Sequence, residues 1–160
     1  MKRFTSIIIL FATLTLAFSQ KGDLKEYMNK EGVTTVTISK NMLSYFPKGA
    51  DITYGDINVG DFVDKLSAIH VFASHKEEVA AQLIDDVTKF LKVSCFERML
   101  SMEAEKVEHL NLFIQSNEEY ISEFVVLIEG KSKESVVMQF TGKFTMEDIQ
   151  QMIASRLDDN

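Results

Sequence analysis

Chemistry in this 160-residue chain would have to come from few residues: three histidines, one cysteine and a set of spaced aspartates. His70 and His75 lie five apart, on either side of a predicted strand end and helix start, so they do not share a face as two metal ligands on one helix would. With His109 they read as ordinary strand or surface histidines. The run from Asp56 to Asp61 opens like a calcium loop, with Asp56 and Asn58 at alternate positions. Its fifth position is Gly60, its sixth is Asp61 where glycine makes the turn, and its twelfth is Ser67 where a carboxylate should close the site. Asp51, Asp56 and Asp61 therefore read as solvated turn residues. Cys95 stands at the start of an apolar strand with no basic or helix-terminal setting to lower its pKa, so it reads as a buried, inert thiol.

No Gly-x-Ser-x-Gly elbow is present, and the seven glycines form neither a Walker loop nor a dinucleotide fingerprint. The carboxylate pairs Asp85/Asp86 and Glu118/Glu119 fall on the polar face of a helix and in a turn. Met42, Met99, Met102, Met138 and Met152 fall on apolar stripes and read as core filler. No residue is assigned a catalytic, cofactor-binding or metal-ligating role.

The elements that would hold any site begin after a leader. Lys2 and Arg3 precede fifteen residues, Phe4 to Phe18, that are apolar apart from Thr and Ser, and small residues precede Gln20. This predicts a secretory signal peptide over 1–19, cut between Ser19 and Gln20; its apolar run is shorter than the ~20 residues needed to span a bilayer. The expected exported chain, residues 20–160, keeps 15 basic and 24 acidic residues, a formal charge of −9. Nucleic acid is excluded as a partner class, because a polyanion needs a basic patch. A length of 141 residues fits one domain with its own core, and a single cysteine leaves that core to packing rather than to an internal disulfide.

Period-two alternation marks three consecutive strands between Lys106 and Thr141. Leu110, Leu112 and Ile114, then Phe124, Val126 and Ile128, then Val136, Met138 and Phe140 face one side, and the polar breaks at 115–119 and 130–134 make the three an antiparallel meander. Upstream, the pattern predicts a short helix over 22–30 and a β-branched strand over 33–39. A brief helix over 41–46, capped by Ser39, should turn Met42, Leu43 and Phe46 inward before Pro47 stops it. A loop over 48–61, a helical turn over 62–66 and a strand over 68–73 follow. Ser74 to Glu77 reads as a capping box opening the longest helix, with Val79, Leu83, Val87, Phe90 and Leu91 on one face. A strand over 96–102 leads into the meander, and Thr145 caps a closing helix with Ile149, Met152, Ile153 and Leu157 inward. The sum is a single α+β domain over 20–160: a mainly antiparallel sheet with a C-terminal meander, packed by a long central helix and a C-terminal helix.

Phe113, Val125, Leu127 and Val137 alternate on the meander's second face. Helices on both sides of the sheet would make them a second core layer. Helices on one side only would leave them as a candidate interaction patch.

Glu31 to Leu43, Lys65 to Val71 and Gly142 to Ile149 resemble the exported Bacteroidota proteins grouped as domain of unknown function 4252, and the likeness covers nearly all of residues 20–160. The resemblance implies a cell-envelope protein of a Gram-negative bacterium, periplasmic or secreted, and brings no catalytic residue with it. The expected function is accordingly non-catalytic: binding an envelope macromolecule or serving an accessory role, without a cofactor and without a stable membrane span once the leader is cut. Two alternatives stand beside it. One is a binder of a small apolar ligand between sheet and helices; the other is an enzyme whose residues would sit in the loop from Lys48 to Asp61.

Overall fold

The computed structural model describes residues 24–54, 57–103 and 107–157. The leader and its expected cut lie outside these residues, as does Asp56. The chain runs through a 3-10 helix (Leu24–Asn29), β1 (Thr34–Ser39), α1 (Lys40–Leu43), the short strands β2 (Thr53–Tyr54) and β3 (Ile57–Asn58), and a 3-10 turn (Gly60–Phe62). It continues through β4 (Leu66–Ser74), α2 (Glu77–Val93), β5 (Glu97–Met102), β6 (Val107–Ser116), β7 (Ile121–Gly130), β8 (Ser135–Phe144) and α3 (Met146–Leu157). Six strands form one antiparallel sheet in the order β1-β4-β8-β7-β6-β5, while among the described residues β2 and β3 pair with each other alone.

The meander forms in the register its alternation predicts. Leu110, Leu112 and Ile114 face Ile128, Val126 and Phe124, which in turn face Val136, Met138 and Phe140. All nine belong to, or pack against, one core that also takes in Leu43, Val59, Phe62, Ile69, Val71, Phe144, Ile149 and Met152. Phe124 stacks on Phe140 with centroids 4.3 Å apart and meets Phe144 edge-on at 5.0 Å. That layer is closed by α3, α1 and the segment around Val59 to Val63. The side chains of Ile153 and Leu157 lie outside the description.

The opposite face carries a second core: Leu24, Tyr27, Phe72, Leu83, Val87, Leu91, Val125, Leu127 and Val137, with Phe113 and Phe90 packed against it. The sheet is therefore sandwiched, and the candidate patch is a buried layer under α2. Val125, Leu127 and Val137 are fully covered and present no free surface, and Phe113 is half-buried. The reason is geometric. Helix α2 must carry the chain from β4 to β5, across β8, β7 and β6; its 17 residues span about 25 Å, against about 19 Å for four strand spacings.

Two local expectations change. Ser74 does not cap α2: it remains in β4, its hydroxyl donates to the Gly32 carbonyl at 2.8 Å, and the N-cap position is Lys76 with no side-chain cap bond. Glu77 instead pairs with Lys133 of the β7–β8 turn. The reciprocal capping box occurs at α3, where the Asp148 N–H donates to Thr145 Oγ1 (3.2 Å) and the Thr145 N–H to Asp148 Oδ2 (2.8 Å). Cys95 is exposed rather than buried, with φ of 58°. It is the left-handed residue that ends α2: its N–H bonds the Lys92 carbonyl and the Phe96 N–H bonds the Leu91 carbonyl, which is a Schellman ending. Phe96 then packs on Phe90 with centroids 6.0 Å apart.

Candidate functional site

The residues first considered for chemistry are dispersed. His70 on β4 has Nδ1 3.2 Å from Thr37 Oγ1; His75 in the turn before α2 lies 3.0 Å from Glu134; His109 on β6 lies 3.4 Å from Glu103. Strands β8 and β7 separate His70 from His109. Asp51 and Asp61 are exposed, in a loop closed by backbone bonds from Gly49 to Gly60 and from Val59 to Ile52. Asp85 bonds Lys89, while Asp86 accepts the Tyr27 hydroxyl and pairs with Lys30. Glu118 and Glu119 are exposed in a turn that Asn117 holds, its Oδ1 accepting from the N–H groups of Glu119 and Tyr120. Met138 and Met152 are core and Met102 is half-buried, but Met42 and Met99 are exposed rather than core filler.

A different set of side chains comes together at one corner of the sheet, where β1 passes directly into α1. β1 reads Thr-Thr-Val-Thr-Ile-Ser, with no charge and no proline. Its pairing with β4 runs from Thr34↔Ala73 to Ser39↔Ala68 without a register shift, and it is an outer strand of the sheet. Among the described residues its backbone pairs with β4 alone, so alternate N–H and C=O groups point outward. Val36 and Ile38 lie half-buried at the open margin of the α3-side core, and Thr34, Thr37 and Ser39 are exposed.

α1 is one turn long, and one turn can bury little. Leu43 alone is buried, at 2 % exposure, and anchors the turn to the core. At about 100° per residue, Phe46, Met42 and Tyr45 lie progressively farther round the axis from Leu43. Their exposures follow that order at 37 %, 54 % and 83 %. Bonds from the N–H of Ser44, Tyr45 and Phe46 to the carbonyls of Lys40, Met42 and Leu43 hold the three as a knuckle beside the strand. The expectation that Met42 and Phe46 turn inward is thus corrected. The signal missed was the length of the helix, since Pro47 leaves too few residues for a stripe.

Two polar clusters hold this corner in place. On the α2 side, Tyr27 bonds Asp86, Lys30 lies over the Tyr27 ring at 4.6 Å, and Thr35 Oγ1 donates to the Tyr27 carbonyl, so the 3-10 helix is tied to both α2 and β1. Burial first, then the hydrogen bond to Asp86 and its charge, pushes the Tyr27 hydroxyl well above its ordinary pKa. On the α3 side, Lys65 Nζ meets Asp148 Oδ1 at 2.5 Å immediately before β4 begins. Burial alone would raise the Asp148 carboxyl, but the bonds from Lys65 and Thr145 outweigh it and hold the group below its usual value. Beside this pair the chain cannot admit a side chain at Gly142, where a Cβ would stand 2.3 Å from the Lys65 carbonyl.

Chemically, the corner offers a row of backbone donors and acceptors flanked by three apolar side chains. No curated protein and no solved structure matches the chain. A family model does match, over residues 27–152, a span that includes every strand and reaches into α3. The chain belongs to the family described as Domain of unknown function (DUF4252).

Proposed function

We propose that this chain is a non-catalytic binding protein of the cell envelope that takes a polypeptide partner by strand addition at β1, with Met42, Tyr45 and Phe46 as the apolar contact beside it. The observation that carries the reading is an outermost strand with no charge, proline or bulge, placed next to a knuckle whose Tyr45 is 83 % exposed. Edge strands are ordinarily blunted against pairing, and this one is not. Tyr, Phe and Met are enriched where proteins meet. The envelope location rests on the basic and apolar leader pattern of residues 1–19 and on the family likeness.

Photo-crosslinking in cells tests the surface. A photoreactive phenylalanine analogue at Tyr45, or at Thr37, should yield the same crosslinked species. The analogue at Glu97, on the far edge strand, should yield none. Absence of product from Tyr45 and Thr37, or equal product from Glu97, overturns the assignment.

A further inference from the structure

The reading of β1 as the binding edge leaves its occupant open, and the strand itself narrows the choice. We propose that β1 pairs antiparallel with β1 of a second copy of this chain, across a two-fold axis perpendicular to the sheet at Val36. This deepens the proposed function and rests on it.

Symmetry makes the first argument. An axis perpendicular to the sheet keeps each face on its own side, so a residue must lie opposite itself and its neighbours pair two apart. With Val36 on the axis, Val36 faces Val36 of the other copy and Thr34 faces Ile38 on the α3-side face, while Thr35 faces Thr37 on the α2-side face. Every one of these pairs is β-branched, and such residues fit a pleated, half-buried surface. The half-buried Val36 and Ile38 would lose their open side as the two α3-side cores join into one twelve-stranded sheet.

Charge makes the second argument. Each copy carries a formal −7 over the full chain and −9 over residues 20–160, which opposes association in general. The six residues of β1 contribute none of it, so the contact itself brings no like charges together. At each end of the paired strands Ser39 would face Val33, bringing Lys40 of one copy to the same end as Glu31 of the other. Both are exposed, and neither forms an ion pair among the described residues. No such complementarity is needed to bind an arbitrary extended peptide, which is why a second copy is favoured.

Light scattering on the protein recovered from cells, at rising concentration, gives the first readout. The mass should climb from one chain to two. Thr34→Lys with Thr37→Lys should return it to one chain and weaken association at least about tenfold, with an unchanged circular dichroism spectrum and, at concentrations where both proteins are single chains, an unchanged melting curve, since both side chains are exposed. The added lysines reduce the net negative charge, so a loss of association reports the strand rather than overall repulsion. A second readout fixes the register. In a Cys95→Ser background, Val36→Cys should form an inter-chain disulfide on mild oxidation, because residues facing across the axis lie within disulfide reach, whereas Ser101→Cys on β5 should not.

A mass of one chain at every concentration overturns the proposal. So does a dimer that survives both lysines, or one that crosslinks through Ser101→Cys. If the chain stays single while Tyr45 and Thr37 still crosslink to a different polypeptide, the β1 binding edge stands and only its occupant is wrong. If both experiments fail, the edge reading falls with it.

Discussion

β1 and β5 close the same sheet in opposite ways. β5 carries Glu97 and Arg98, and its register against β6 shifts between Arg98 and Leu100, leaving Met99 as a bulge. Charge and a bulge are the devices that keep an edge from recruiting another strand. β1 has neither, and it is held by its pairing with β4 and by the bond from Thr35 to the Tyr27 carbonyl. Two edges of one domain, in one chain with a strong negative balance, differ in what they exclude, and the permissive edge is the one beside Tyr45.

Charge moved from an edge of the sheet to its centre has the largest expected effect. Leu127→Asp would place a carboxylate in the layer under α2, where Leu127 is 2 % exposed and no cation is at hand in that cluster. The expected loss is at least about 4 kcal/mol, a large share of the roughly 5–15 kcal/mol that holds a domain folded. A cooperative urea transition close to wild type would mean that this face is not a core. The lysines at Thr34 and Thr37 should, by contrast, leave the transition within about 0.5 kcal/mol of wild type.

A smaller effect is expected where the β1 side is fastened. Asp148→Asn removes the carboxylate that bonds Lys65 just before β4, and should cost about 1–2 kcal/mol at neutral pH. The lower end allows for Lys65, whose side chain is 34 % exposed. Because the folded carboxyl is held below its unfolded value, its contribution is fully present above the unfolded pKa of about 3.9 and disappears as pH falls through the depressed folded value. Urea midpoints of wild type and variant should differ at neutral pH and converge in acid. A gap that does not narrow below about pH 4 would assign the loss to packing instead.

The six long strands and the helices α2 and α3 are legible because each carries a full period: nine alternating side chains in the meander, Leu83, Val87 and Leu91 on α2, and Ile149 with Met152 on α3. The corner is not. Strand order is absent from a linear pattern, so nothing marked β1 as an outer strand, even though the charges that blunt β5 stand openly at Glu97 and Arg98. The inward reading of Met42 and Phe46 treats a single turn as though it had a stripe, and the capping box at Ser74 is a pattern match at a residue that stays in β4, where its Oγ accepts from the Lys76 N–H while its hydroxyl donates to the Gly32 carbonyl. The same motif with aspartate in place of glutamate, at Thr145 and Asp148, is the one that forms.

Near the blunted edge a substitution should stabilise. Cys95 occupies a left-handed position that glycine takes at lower cost, because a Cβ there crowds the following carbonyl. Cys95→Gly should raise stability by about 1 kcal/mol, read as a higher urea midpoint with an unchanged slope. A lower midpoint would show that the thiol contributes packing that its exposure does not suggest. Neither result should alter the assembly state, since the change lies at the start of β5 and not on β1.

The smallest effect on stability carries the sharpest test of the comparison. Glu97→Thr with Arg98→Thr would strip β5 of its charges and give it a β1-like composition, while the shift at Met99 remains. Both residues are exposed, so the folded state should change by no more than about 0.5 kcal/mol. Two outcomes then separate charge from shape. A bulged strand bends and leaves its extra residue unpaired, so an incoming strand would meet a discontinuous row of donors and acceptors. On that argument the double variant should show the same mass by light scattering as wild type at every concentration, and the lysine substitutions on β1 should still reduce it to one chain. Growth beyond two chains would mean that charge alone had been guarding β5, and that two open edges now let the sheets join end to end.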